Sequence, residues 1–374
     1  MTTATSSSAN ATVERALQSL IDEGPELGLQ VAAYVDGQLV IDAWAGVADE
    51  ATGRRVDGDT LFMLSSTTKG ITATLAAILA DKGKLDYDRP MASYWPEFGA
   101  HGKDKVSVRE VIAQRSGIPQ TPAGYAPEWL SDWDRMCRGI AGLTPMFPPG
   151  ERTSYASLTF GHMIGEIIRR IDGRPVGQFC QEELAGPLGA DIYLGVPDAL
   201  LERVAVLKDG PSAPPAYDAR MVGEPAGSHV AEVFNRREVQ QAAIPGSGGI
   251  MSARGLARMY AMLANGGELD GVRILSPESI RRATELQSYE LDEIYRVRVR
   301  RALGYRLGPD CGPNAGPNAF GHVGGGGSFG YADPDRRLGI AFAKNHFAYN
   351  SGGPTTRRAG QVATDAVFEA LGWT

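Results

Sequence analysis

Strand-like segments lie at the two ends of this chain and helical ones fill its middle, which leaves few ways to build one core. Near the N-terminus, LGLQVAAYV and QLVIDAWAG flank Asp36-Gly37, and two β-prone runs joined by Asp-Gly predict a hairpin. Near the C-terminus, AFGHVGGGGSFGYADPDRRLGIAFAKN reads as strand, turn at Asp333-Pro334-Asp335, strand. Apolar spacing predicts helices over 12–22, 106–115, 158–172, 176–185, 252–265, 276–286 and 358–371. Residues 69–80 (KGITATLAAILA) are apolar on most sides, so that helix belongs inside the protein. The simplest architecture is an α/β protein of the α+β type. Both chain ends build one antiparallel sheet flanked by helices, and a mainly helical domain is inserted between them.

The expected division is 12–65 plus 246–374 for the sheet-containing part and 66–245 for the insert, together one catalytic unit. Residues 1–11 are small and polar and are expected to be disordered. Residues 205–245 have weak periodicity and contain DGPSAPPAYD, which predicts an extended excursion. With 374 residues and 43% hydrophobic composition, the chain can bury a large core.

Net charge is −7 and no basic block stands out, which argues against nucleic acid or an anionic membrane as partner. No apolar run reaches membrane-spanning length, and the first residues lack the basic start and apolar stretch of a secretory signal. Cys137, Cys180 and Cys311 show no disulfide or metal spacing, as in a reducing compartment. The expectation is therefore a cytoplasmic protein acting on a small molecule, with no metal and no cofactor. Oligomeric state leaves no trace in the sequence.

Three short motifs carry chemistry. Ser66-Thr67-Thr68-Lys69 is the one S-x-x-K in the chain, and it opens the buried helix. One helical turn brings the Lys69 amine to the face of the Ser66 hydroxyl, and a serine needs a base before it can attack. Tyr155-Ala156-Ser157 supplies a phenol that can carry a proton when a neighbouring cation stabilises its phenolate. Ser157 adds a further polar group. His322-Val323-Gly324 begins the glycine run 324–327, whose backbone N–H groups can approach a substrate oxyanion. Each motif taken alone is as well explained by an N-cap, a half-buried tyrosine or a flexible turn.

In this order, S-x-x-K, Y-x-[SN] and [KHW]-x-G resemble the serine β-lactamase and penicillin-binding protein superfamily. The likeness is to its class C-like branch, which includes the family VIII carboxylesterases. FPPGERTSYAS, GRPVGQFCQEELAGPLGA, SGGIMSARGLARMYAMLANGG and GHVGGGGSFGYADPDRRLGIAFAKN resemble that family's flanking segments, and the likeness covers about residues 12–370. It implies an acyl-enzyme on Ser66 and shared acid–base duty for Lys69 and Tyr155. It also implies an oxyanion hole from the backbone N–H groups of Ser66 and Gly325, with Ser157, His322 and Gly324 in support. Which of Lys69 and Tyr155 takes the first proton stays open.

Two departures from the family pattern matter. His322-Val323-Gly324 stands where β-lactamases have Lys-Thr-Gly, so the cation and hydroxyl that hold a substrate carboxylate are missing. Gln114 stands where relatives usually place a histidine, with no evident mechanistic consequence. The expected activity is a carboxylesterase on small or medium acyl esters. The alternatives are an acyltransferase that delivers the acyl group to an amine or alcohol, a β-lactamase or D-amino-acid peptidase, and a silent binding protein of the same fold. Regions 205–245 and 287–300 could shape an acceptor pocket. Tyr125, Trp129, Trp133 and Phe347 could line an acyl pocket or simply fill the core. A rival motif, G-x-S-x-G at 326–330, lies on a hairpin instead of a strand–helix elbow, so Ser328 reads as structural.

Overall fold

The computed structural model describes residues 7–210, 230–348 and 354–373. Much of the expected excursion, including most of DGPSAPPAYD, lies outside the described residues. The N-terminal hairpin forms as predicted: β1 (Gly28–Val35) and β2 (Gln38–Asp49) meet at a two-residue turn. Asp36 and Gly37 have φ of 50° and 79°, the left-handed pair that matches the twist of a tight hairpin.

The main sheet is antiparallel throughout. With β3 (Arg54–Arg55), β7 (Arg306–Leu307), β8 (Phe320–Val323), β9 (Phe329–Asp333) and β10 (Leu338–Lys344), its order is β7-β8-β9-β10-β1-β2-β3. The two chain ends join where β1 pairs with β10, with Val31 opposite Phe342 and Ala33 opposite Ile340. A second, smaller sheet joins β4 (Phe62–Met63), β5 (Ile192–Tyr193) and β6 (Ile250–Met251).

Alternation along β1 decides what covers each face of the main sheet. Leu29, Val31 and Ala33 pack with Phe329, Ile340 and Phe342 under the terminal helices α1 (Ser7–Asp22) and α5 (Pro354–Ala370). Ala32 and Tyr34 point the other way, into the larger core shared with α2 (Thr68–Asp81), α3 (Thr159–Asp172) and α4 (Ala253–Ala264). Gly339 lets α4 come close, since a Cβ there would lie 2.1 Å from the Ala261 nitrogen.

The first helix starts earlier than expected. Residues 1–6 lie outside the described residues, but Ser7–Asn10 are helical instead of disordered. The Asn10 side chain accepts from the Asp42 N–H at 3.0 Å and donates to the Asp42 carbonyl at 3.2 Å, which fastens that turn to β2. Helix α2 is buried along nearly its whole length, with Ile71, Leu75 and Leu79 fully covered. No helix among the described residues is long and apolar enough to cross a membrane.

Candidate active site

The site is built where β4 runs into α2. A 3₁₀ turn over Ser65–Thr67 joins them, and Ser65 adopts a left-handed φ of 46°. That conformation costs a residue with a Cβ about 1–3 kcal/mol unless its surroundings enforce it. Here Thr68 Oγ1 donates to the Ser65 carbonyl at 2.6 Å and accepts from the Gly249 N–H at 2.9 Å. The Leu64 N–H donates to the Gly249 carbonyl at 3.0 Å. The turn delivers Ser66, 8% exposed, to the start of α2, where the helix dipole favours developing negative charge.

Lys69 follows one turn later and is fully buried. Its Nζ donates to the carbonyls of Ser157 and Gly246, both at 2.7 Å, and meets Ser66 Oγ at 3.1 Å. Two of these neighbours can only accept, so they occupy two N–H bonds. The third is a hydroxyl, which can accept from an ammonium or donate to the lone pair of a neutral amine. The cradle therefore suits Lys69 as an ammonium or as a neutral amine.

Tyr155 is buried, with the Lys69 Nζ 4.7 Å from its ring centroid. Gln114 grips its backbone on both sides. The Gln114 Oε1 accepts from the Ala156 N–H at 2.8 Å, and its main-chain carbonyl accepts from the Ser154 N–H at 2.8 Å. Gln114 itself holds a left-handed φ of 63°. The Tyr295 ring meets the Tyr155 ring edge-on at 4.8 Å.

The glycine edge closes the third side. A Cβ on Gly324 would lie 2.4 Å from the Leu64 carbonyl oxygen and 2.8 Å from Thr67 Oγ1, so only glycine lets this strand end reach the Ser66 turn. A Cβ on Gly325 would lie 3.2 Å from Ser65 Oγ and 3.1 Å from Phe347. Ser328 is buried, and its hydroxyl donates to the Leu64 carbonyl at 3.1 Å and sits 3.2 Å from Thr67 Oγ1. It ties the hairpin to the turn. Its nominal partners face elsewhere, Asp335 toward Asn318 and His346 toward Glu26.

His322 is buried under the site, and its Nδ1 donates to the Val323 carbonyl at 2.7 Å. Burial, then the charges of Arg306 and Lys69, hold its imidazole well below the usual value. It is therefore neutral at pH 7.

The sequence matches the Beta-lactamase family over residues 13–364. The chain belongs to the β-lactamase family. It is similar to an esterase/β-lactamase, LipL, of Mycobacterium tuberculosis, with 36% identity over 90% of this chain and 80% of that one. Among solved structures it resembles a family VIII carboxylesterase, with a TM-score of 0.86 and 37% identity over 96% of this chain and 97% of that one. It also resembles a penicillin-binding protein homologue from Caulobacter crescentus, with a TM-score of 0.85 and 34% identity over 97% and 99%. The chain is thus a serine hydrolase with a β-lactamase-like fold.

Within this β-lactamase-family site, the structure brings Ser66, Lys69, Tyr155, the Ser157 carbonyl, His322, Gly324 and Gly325 into one cluster. Sequence reasoning missed what surrounds Tyr155: the grip of Gln114, the Tyr295 ring, and a buried Arg301–Asp292 ion pair. Gln114 showed only as a departure from pattern, and 287–301 has no periodicity to read. Of the four aromatic candidates, Phe347 packs on Gly325 and Gly326. Trp133 instead donates from its indole to Glu166, and Tyr125 meets Trp129 edge-on.

Proposed function

We propose that this protein is a carboxylesterase acting on small or medium acyl esters through an acyl-enzyme on Ser66. The observation that carries the reading is the Lys69 amine, fixed by two carbonyls and aimed at Ser66 Oγ. Ser66 Oγ attacks the ester carbonyl carbon, and its proton passes to the Lys69–Tyr155 pair. The tetrahedral oxyanion is met by the backbone N–H groups of Ser66 and Gly325. The alcohol leaves with the transferred proton. Water then attacks the acyl-enzyme, gives up a proton to the same pair, and Ser66 is regenerated as the acid departs.

Esters are favoured over substrates with a carboxylate to be anchored because His322 is neutral and Val323 carries no donor. The likeness to a carboxylesterase and to an esterase/β-lactamase supports the same choice. A cytoplasmic setting fits three free, buried cysteines.

The test mixes enzyme with p-nitrophenyl acetate and follows nitrophenol from milliseconds onward, beside Ser66→Ala and beside a cephalosporin substrate. The reading predicts steady ester turnover, loss of it in Ser66→Ala, and a kcat/KM for the cephalosporin far below that for the ester. A burst that stalls until an alcohol or amine is added would replace the esterase with the acyltransferase. A cephalosporin preferred over the ester would refute the substrate assignment.

A further inference from the structure

The segment from Leu286 to Arg301 folds back on itself through isolated bridges, Ser288 with Arg301 and Leu291 with Arg298, and lies against the Tyr155 loop. The Glu293 N–H donates to the Thr153 carbonyl at 2.9 Å, and Thr153 Oγ1 donates to Ser288 Oγ at 3.3 Å. Asp292 organises its tip: one carboxylate oxygen accepts from the N–H groups of Ile294 and Tyr295, both at 2.9 Å, which sets the Tyr295 ring on Tyr155. The other oxygen accepts from Arg301 Nη2 at 2.8 Å, with the two side chains 0% and 4% exposed.

Arg301 does more than balance Asp292. Its guanidinium carbon lies 5.2 Å from the centroid of the Tyr155 ring. Its Nε–H is buried and has no hydrogen-bond partner among the described residues, a condition that ordinarily costs stability. A cation over an aromatic ring is attracted to its face, and more strongly once the phenol has ionised and its charge spreads into the ring.

We propose that the buried Arg301–Asp292 pair is a positioning device for Tyr155, with Arg301 as a second cation, beside Lys69, that favours the tyrosine's phenolate. The inference rests on the acyl-enzyme reading above. The phenolate receives the Ser66 proton, so an O–H bond forms at Tyr155 Oη as the one at Ser66 breaks, and the same proton later leaves with the alcohol. The groups facing Tyr155 include Lys69 from α2, neutral His322 from β8, whose own titration feels Arg306 of β7, and Tyr295 and Arg301 from the 286–301 segment, with Asp292 paired to Arg301. Among these, Arg301 is a cation on the ring that the family motifs do not supply.

The experiment is the pH profile of kcat/KM for p-nitrophenyl acetate. Arg301→Gln alone would strand a buried carboxylate and could unfold the chain. The variant Asp292→Asn/Arg301→Gln removes both charges, keeps an oxygen for the Ile294 and Tyr295 N–H groups, and restores a neutral side-chain bond. Its acid limb is expected to rise by up to about one pH unit, because loss of the Arg301 cation on the ring outweighs loss of the Asp292 anion paired to it. Arg301→Lys, which keeps a cation, should return the limb most of the way. A double variant that loses rate at every pH with its limb unmoved, or an Arg301→Lys profile matching the double variant, would overturn the proposal. Ser66→Ala, run in parallel, separates the cases: full activity there refutes the acyl-enzyme reading itself.

Discussion

Among the described residues Lys69 and Lys103 have no exposed surface, and their neighbours assign them different work. Lys103 donates to the carbonyls of Ala100, Ala141 and Leu143. Three pure acceptors require three N–H bonds, so Lys103 is held as an ammonium that stitches loops together, although burial pulls its pKa down. Lys69 also donates to two carbonyls, but it has the Ser66 hydroxyl within reach, a group that can donate to a neutral amine as well as accept from an ammonium. Lys69 is one half of the Lys69–Tyr155 pair that handles the Ser66 proton, so Lys69→Met should lower kcat/KM for p-nitrophenyl acetate by about 10²–10⁴-fold, the usual worth of acid–base catalysis. Lys103→Met should leave kcat/KM near wild type and instead lower stability by about 1–3 kcal/mol per orphaned carbonyl, read by urea unfolding. Equal loss of activity in both variants would contradict the distinction. At this scale Ser66 and Lys69 were legible because the i, i+3 geometry of a helix is fixed by its sequence spacing. The role of Gln114 was not, because it depends on a left-handed backbone and on a partner 42 residues away.

The element that makes the site possible is the end of β8, which must lie almost on the backbone of the Ser66 turn. An extended strand end can reach that position only without a side chain at Gly324, and the Ser328 hydroxyl then locks the hairpin to Leu64. Gly324→Ala places a Cβ within 2.5 Å of both the Leu64 carbonyl and Ser328 Oγ, so β8 must move away from Ser66. A displacement near 1 Å costs on the order of 10²-fold in rate. The expected outcome is that kcat falls by that order while far-ultraviolet circular dichroism stays native; an unchanged kcat would mean the glycine edge takes no part in catalysis. The hairpins were legible from alternation and turn residues, and α2 from its apolar run. The 286–301 segment was not, since its two isolated bridges leave no period in the sequence, and its importance comes from what it covers.

For the molecule as a whole, the functional cluster is gathered from four distant stretches: 64–69, 114, 153–157 and 322–328, with 245–249 beneath them. The sheet's strands from both chain ends were foreseeable, because Leu29, Val31 and Ala33 alternate with Ala32 and Tyr34, and Ile340 and Phe342 follow the same rule on β10. How the inserted helices bring Tyr155 onto Lys69 was not foreseeable from periodicity. It depends on contacts such as α3 against Gly246, where a Cβ on Gly161 would lie 1.9 Å from the Gly246 nitrogen. The order of the three motifs along the chain supplied that information only through resemblance to a family. The central claim is that this whole arrangement exists to acylate Ser66. The most direct measurement is to mix enzyme with p-nitrophenyl acetate, quench in acid within the first turnover, digest, and locate the acetyl group by mass spectrometry. The account predicts an acetyl ester on the peptide that carries Ser66, absent in Ser66→Ala and accumulating as fast as nitrophenol first appears. An acetyl group on another peptide such as that of Ser328, or turnover with Ser66 unmodified throughout, would contradict it.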